Sequence, residues 1–495
     1  MIFHSLDFLI FFLVVLAVYW VLSRKLQNIL LLAASYFFYG YVHHWFLILI
    51  AITTLTDYLC GRGMAAYPEK KKRFLFASLV INLGILGVFK YFGFFVENVR
   101  TLLHAAGLTM LDSVTVSILL PVGISFYTFQ SLSYTIDIYR GNLEARKNFL
   151  DFALFVSFFP QLVAGPIERA GRLLPQLENN RRFKLDHFIA GFHLAVWGFF
   201  KKLVIADNVG FICNKIFALE DAGFYLLWTG VFAFGIQIYA DFSAYTDIAR
   251  GTARMLGIHI TENFNHPYIS RSPMDFWQRW HISFSTWLRD YLFLPIAYAV
   301  SGKIKSPKVW GIKAETWAYS IGILATMFLC GLWHGASWNF ISWGVYYGIL
   351  ILVYRAAQKA FPKSLKKSRL GRWTKKTGWT VPFQVLLMFV LINIGWLIFR
   401  EQDFSRLIHH FTLNPSLSTG ADNHIAWYLF MLTLLYSLPL WVHTVYARLR
   451  ERVSPGSAAA VRWVHLWRYA AAVLCYLLII LFKSPETADF IYFQF

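Results

Sequence analysis

WAYSIGILATMFLCGLWHGASWNFISWGVYYGILILVY, residues Trp317–Tyr354, runs for 38 residues without one Asp, Glu, Lys or Arg. A helix needs about 20 apolar residues to cross roughly 30 Å of hydrocarbon, so this stretch holds two crossings hinged near His334. The rest of the chain has the same character. Of 495 residues 58% are hydrophobic, 19% aromatic and 15% charged, with mean hydropathy +0.51, whereas a soluble domain is about 25% charged. No single core could hide that much apolar surface, but a bilayer accepts it. The expected class is an all-α integral membrane protein. Breaks at charges, Gly and Pro place about 11–12 spans, near Leu6–Leu22, Ile29–Tyr41, Phe46–Cys60, Phe74–Val96, Val116–Ile138, Phe188–Ile205, Tyr225–Ile248, Trp317–Trp333, Trp338–Tyr354, Val381–Phe399, Ala426–Val445 and Tyr469–Phe482.

The formal net charge of +20 would suggest nucleic acid in a soluble protein. Here the cations sit in short clusters between apolar runs: Arg24 and Lys25, Lys70 to Arg73, Arg146 and Lys147, Lys363 to Lys376, and Arg448 to Arg452. That is the pattern of cytoplasmic loops, and nucleic acid is not an expected partner. With these clusters inside, both termini fall outside. Met1–Leu22 lacks a basic start and a small-residue cleavage site, so it is expected to stay as the first helix. The four cysteines lie far apart with no CxxC pair, which suggests neither zinc, nor a thiol redox site, nor disulfides. No repeat or linker divides the chain, and residues 1–495 are expected to form one domain.

Two regions break the alternation of helix and loop. Asp151–Pro166 is apolar but too short to cross and is interrupted by Pro160 and Pro166, as in a re-entrant or interfacial segment. Asn263–Ile296 is aromatic yet studded with Arg, His and Asp. On a helical wheel, Trp277, Trp280, Phe284, Trp287 and Tyr291 share one face of Phe276–Phe293, while His281, Ser285 and Arg289 form a polar line beside Gln278. A plain interfacial helix would show the same division. His334 is the sharper signal, because imidazole at membrane depth is costly unless it meets a cavity or partner. Gly335, Ala336 and Ser337 would let a backbone or thin ligand approach it. As a base it could take the proton of a hydroxyl nucleophile; alternatively it could hydrogen-bond a carbonyl and merely join two helices. His43, His44, His409 and His410 fit interfacial packing or solvation. Asp241 and Asp247 fit a structural role, paired with arginines such as Arg250 and Arg254. Phosphate-binding glycine fingerprints, HExxH and GxSxG are absent.

Several stretches together resemble the membrane-bound O-acyltransferase superfamily, in particular its bacterial alginate O-acetyltransferase-like branch: LPVGISFYTFQSLSYTIDIYRG from Leu120, FFPQLVAGPI from Phe158, YADFSAYTDIARG from Tyr239, ENFNHPYISRSPMDFWQRWHISFSTWLRDYLF from Glu262, GLWHGASWNFISWG from Gly331 and IGWLIFR from Ile394. The resemblance implies helices and re-entrant segments ringed around a central funnel in a multi-pass protein of the bacterial cell (inner) membrane. It implies His334 of the WHG motif and His281 of the RWHIS motif as catalytic, with Trp280, Ser285, Arg289, Trp333 and Asn339 contacting substrate. Acetyl-CoA is the implied cytoplasmic donor, with no tightly bound cofactor and no metal. The implied partners are membrane lipid, a polysaccharide acceptor, and a separate extracytoplasmic acetyltransferase of SGNH type or similar. The alginate-type proteins carry a Gly-Gly-Asn-Arg turn after LRDYLF, where this chain has PIAYAVSGKIKSPK from Pro295, so the acceptor polymer stays open. D-alanyl transfer to teichoic acid is the alternative within the superfamily. A transporter or polymer-export channel is the alternative outside it, and would show paired carboxylates and arginines along an aqueous path.

Overall fold

The computed structural model describes residues 1–109, 118–163, 165–360, 379–452, 458–485 and 490–491, with side chains 451–468 outside that description. The expected basic cluster Lys363–Lys376 lies outside the described residues. The chain groups into two compact units interleaved in sequence. One contains Met1–Phe200, Ala244–Thr261 and Arg468–Tyr476; the other contains Lys201–Ser243, Glu262–Trp467 and Leu477–Phe495.

Helices account for nearly all the regular structure. Among the described residues seven are long and apolar enough to cross a membrane: Phe46–Ala66, Pro68–Ala105, Leu185–Phe217, Ala314–His334, Trp338–Ala360, Val381–Arg400 and Gly420–Arg450. Two shorter apolar helices are Leu6–Tyr19 and Tyr469–Phe482. Each of the twelve expected stretches coincides at least in part with a helix. The fifth, expected from Val116, starts outside the described residues, and from residue 118 on the fit is late. Its helix begins only at Ile124, because Pro121 lacks an amide hydrogen and Gly123 adopts a left-handed φ of 80°. In the first unit α1 (Leu6–Tyr19) shows why this packing suits lipid. Phe8, Phe12, Val15 and Tyr19 are buried, whereas Leu6, Leu9, Ile10, Leu13 and Val14 are exposed.

Several polar side chains inside this unit pair with one another, as a water-poor interior favours. Asp57 accepts from Ser78 Oγ at 2.6 Å and from Asn82 Nδ2 at 3.0 Å, and Ser131 also donates to it. Asp151–Pro166 behaves as expected of a segment packed within the protein. Its helix Phe149–Ser157 spans nine residues, Asn148 caps it by accepting from Leu150 N, and Asp151 through Leu162 are buried. Asp151 takes hydrogen bonds from Asn28 and Asn148, each at 2.7 Å.

In the second unit α16 (Ala314–His334) and α17 (Trp338–Ala360) form a hairpin. Their backbones meet at Gly331 and Gly344. A Cβ on Gly331 would lie 2.1 Å from Phe340 O, and one on Gly344 2.1 Å from Met327 O, so only glycine permits this approach. PIAYAVSGKIKSPK supplies most of α15 (Leu294–Lys303) and leads into a tight hairpin, Lys308–Val309 against Ile312–Lys313. Its turn residues Trp310 and Gly311 both have positive φ. The four cysteines are free and buried.

Candidate active site

His334 is the last residue of α16, and its ring is held edge-on by four aromatic rings. Trp333 and Trp343 each stand 4.8 Å away, Phe399 5.3 Å and Phe284 6.1 Å between centroids. Its exposure is 6%. Gly335 ends the helix in extended backbone, and a Cβ there would fall 2.2 Å from the Phe340 ring. The small residues after His334 were expected to admit a backbone or a ligand. At Gly335 the space is filled by Phe340, which stacks edgewise on Phe399 and helps close the cage.

His281 reaches the same cage by a different route. The continuous helix expected over Phe276–Phe293 is broken into α13 (Pro273–Trp277), α14 (Ile282–Leu288) and a π-helical turn at Arg289–Phe293. The break falls at His281, whose φ is 44°, a left-handed conformation that a non-glycine residue adopts only when its surroundings impose it. Buried Asn263 imposes it. Its carbonyl accepts from Ile282 N at 2.9 Å, and its Oδ1 accepts from Ser283 N at 3.1 Å and Ser283 Oγ at 2.8 Å. The imidazole is 1% exposed and packs on Phe242 at 4.8 Å, Phe284 at 5.0 Å and Trp333 at 6.0 Å. Burial depresses its pKa to about 3, so the ring is neutral at physiological pH.

The two histidines therefore share a stacked pair. Trp333 and Phe284 lie 4.1 Å apart at 30°, and each touches both imidazoles. The other sequence candidates scatter. Trp280 sits deeper, against Trp396 at 4.9 Å, Phe264 at 5.0 Å and Phe276 at 5.6 Å. Ser285 donates to Trp280 O and so helps close the turn at His281. Arg289 does not continue a buried polar line: its side chain is 59% exposed and pairs with Asp290 at 2.7 Å. Asn339 is buried and donates to the backbone carbonyl of Glu401, tying the start of α17 to the segment that follows Phe399.

Two expectations about charged residues need correction. Asp241 pairs with Lys202 at 3.0 Å, not with an arginine, and also accepts from Ile491 N at 2.7 Å. Lys202 bridges to Asp207 at 2.9 Å, and all three side chains are nearly inaccessible. The cations were legible in FFKKLVIADN, from Phe199, as charges inside an apolar run. Asp247 does pair with Arg250, at 3.1 Å. His410 is buried, with Nε2 3.0 Å from Glu401 Oε2, because the polar side of its short amphipathic helix faces inward there; His409 beside it is exposed. Among the described residues no group of three His, Cys, Asp or Glu is placed to hold a metal ion.

The model of the membrane-bound O-acyltransferase family matches residues 143–398, more than half of the chain and all of the aromatic cage except Phe399. The chain belongs to this family. It is similar to a "Probable alginate O-acetylase" of Azotobacter vinelandii, with 39% identity over 408 residues, covering 81% of this chain and 76% of that protein. A peptidoglycan O-acetyltransferase of Helicobacter pylori is 31% identical over 78% of the chain and 74% of its own length. A teichoic acid D-alanyltransferase of Bacillus subtilis is 30% identical over 58% of the chain and 70% of its own length. This family member is an O-acyltransferase and a multi-pass protein of the bacterial cell (inner) membrane, which sets the transporter reading aside.

Proposed function

We propose that this O-acyltransferase moves an acetyl group from cytoplasmic acetyl-CoA to a hydroxyl of an exported or cell-envelope polysaccharide, with His334 as general base. The observation that supports it best is the meeting of His334 and His281 on one stacked aromatic pair at the end of a membrane-spanning helix. The imidazole of His334 takes the proton from the attacking hydroxyl as the new C–O bond forms at the acetyl carbon. The C–S bond of the thioester breaks, and the proton passes to the departing thiolate. His281, neutral and fixed in its left-handed turn, orients the acetyl carbonyl or relays that proton. Trp333 forms the wall common to both rings, Trp280 and Ser285 hold the turn at His281, Asn339 secures α17, and Arg289 offers an exposed cation to an anionic donor. The hydroxyl that attacks at His334 belongs either to the polymer or to a separate extracytoplasmic protein of SGNH type, which then passes the acetyl on to the polymer. Acetyl is favoured over D-alanyl because the acetyl-transferring relatives are matched at higher identity and over more of the chain.

The cage around His334 must open for this chemistry. Aromatic pairs contribute about 0.5–1.5 kcal/mol each, so swinging out one ring with two or three partners costs a few kcal/mol. A state that far above the ground state is populated at roughly the per cent level or below, which still supports turnover.

Membranes holding the protein, incubated with acetyl-labelled acetyl-CoA and then fractionated into polymer classes, are expected to place label on an extracytoplasmic polysaccharide. Label in no polymer fraction, with labelled D-alanine incorporated instead, would replace this reading by the D-alanyl one. A second test addresses His281. Asn263→Ala removes the side-chain acceptor for Ser283 N and Oγ and loosens the turn, which keeps only the bond from Ile282 N to the residue 263 carbonyl, and the rate should fall by about ten- to a hundredfold from misplacement alone with KM little changed. Initial rates at saturating donor measure it, and a wild-type rate would separate His281's conformation from catalysis.

A further inference from the structure

In the first unit, the loop that ends α9 (Ala170–Glu178), the start of α10 (Leu185–Phe200) and the turn after α12 (Phe224–Met255) enclose an open cleft of about 430 Å³. Its walls carry Arg181, Arg182, Lys184, His187 and His259, with the amides of Asn179 and Asn180, and no acidic side chain among the described residues. The acids nearest in sequence, Glu178 and Asp186, are not part of the lining, and Glu178 pairs with Arg146 at 2.8 Å.

The walls are fixed. Arg181 donates to Gln176 O at 3.2 Å, Leu177 O at 3.3 Å and the side chains of Gln27 and Asn28, so its charge cannot swing away. Gln176 clamps His259 from both sides of the backbone, Nε2 donating to His259 O at 2.9 Å and Oε1 accepting from His259 N at 2.8 Å. Phe183 packs edgewise on Trp20 at 5.4 Å and tilted on Phe188 at 5.8 Å, pegging the loop between the two exposed cations Arg182 and Lys184. Neither of these has an ion-pair partner among the described residues. His187 and His259 stand edge to face at 5.0 Å. The His259 imidazole is held below its ordinary pKa by partial burial and then by the positive charges of His187, Arg254, Arg172 and Lys184. The site holds more positive charge than its own residues neutralise.

We propose that this cleft is a phosphate-binding site, in which Arg182 and Lys184 with the Asn179 and Asn180 amides grip a phosphate against the fixed Arg181. Open walls with pre-set cations suit a phosphomonoester or diphosphate. That chemistry has two sources at a cytoplasmic membrane surface, the phosphates of a coenzyme A donor and the headgroup of an anionic phospholipid. The inference does not rest on the acetyl-transfer reading, since the lipid source needs no donor.

Purified full-length protein in phosphatidylcholine nanodiscs is titrated with adenosine 3′,5′-bisphosphate, and in a second arm is incubated with vesicles of phosphatidylglycerol and phosphatidylcholine to measure retained anionic lipid. The double change Arg182→Gln with Lys184→Gln, at exposed positions that should not disturb folding, is expected to weaken one arm by about tenfold or more, the value of one charge-assisted hydrogen bond. Loss in the first arm assigns the site to donor phosphates, and loss in the second to lipid. Lys72→Gln with Arg73→Gln, which removes two exposed cations elsewhere, should leave both arms at wild-type strength. Equal binding by wild type and the cleft variant in both arms, or equal loss in the Lys72/Arg73 control, overturns the proposal. Polymer acetylation is scored separately, so failure of this site and failure of the proposed chemistry give different results.

Discussion

Membranes carrying His334→Ala are expected to transfer no measurable acetyl to polymer while holding as much of the protein as wild type. A positioned base contributes about 10²- to 10⁴-fold, and His334 is the imidazole that α16 sets against Trp333 and Phe284. Removing the ring also leaves a void between Trp343 and Phe399, so His334→Gln serves as a companion that fills most of the volume and accepts a hydrogen bond without accepting the proton. Both variants should be inactive with labelled acetyl-CoA, and the Gln variant should melt close to wild type. Label reaching polymer at more than a few per cent of the wild-type rate in either variant would remove His334 from the chemistry.

Lys202→Met is expected to be the most destabilising single change outside the site. It strips the cation from between Asp207 at 2.9 Å and Asp241 at 3.0 Å and leaves two carboxylates in a nearly inaccessible place. Breaking a buried pair by removing one partner costs about 3–5 kcal/mol, whereas replacing a whole buried ionic group together is often neutral. The triple change Lys202→Met, Asp207→Asn, Asp241→Asn should therefore recover most of the loss. Melting midpoints in detergent, followed by size-exclusion fluorescence, compare the three proteins. A single variant that melts with wild type would show that the cluster does not hold its surroundings together.

The helices were legible because their apolar runs are long: the stretch from Trp317 to Tyr354 shows its hairpin without help from any other part of the chain. His334 was legible for a related reason, since a lone imidazole in such a run stands out. His281 was singled out from spacing four on a continuous helix that does not exist. The break depends on Asn263, eighteen residues upstream, whose side chain reaches Ser283, and periodicity within a window cannot register a contact of that kind. The same limit explains Arg289, which lies past the break and turns outward. Asp241 was matched to arginines near in sequence, whereas its cation is Lys202, brought close by folding alone. Phe399 and Trp343, half of the His334 cage, resemble ordinary core aromatics in sequence, and no local pattern separates them from their neighbours.

The touching backbones of Gly331 and Gly344 bear on which acyl groups this enzyme can accept. One turn from the His334 imidazole, the seam between α16 and α17 is sealed by main-chain atoms, and no smaller residue exists with which to widen it. A fatty chain attached at the reaction centre would find no sideways exit to lipid through that seam. Longer acyl donors would need another gate, and exchanging side chains along these two helices cannot make one at the level of the glycines.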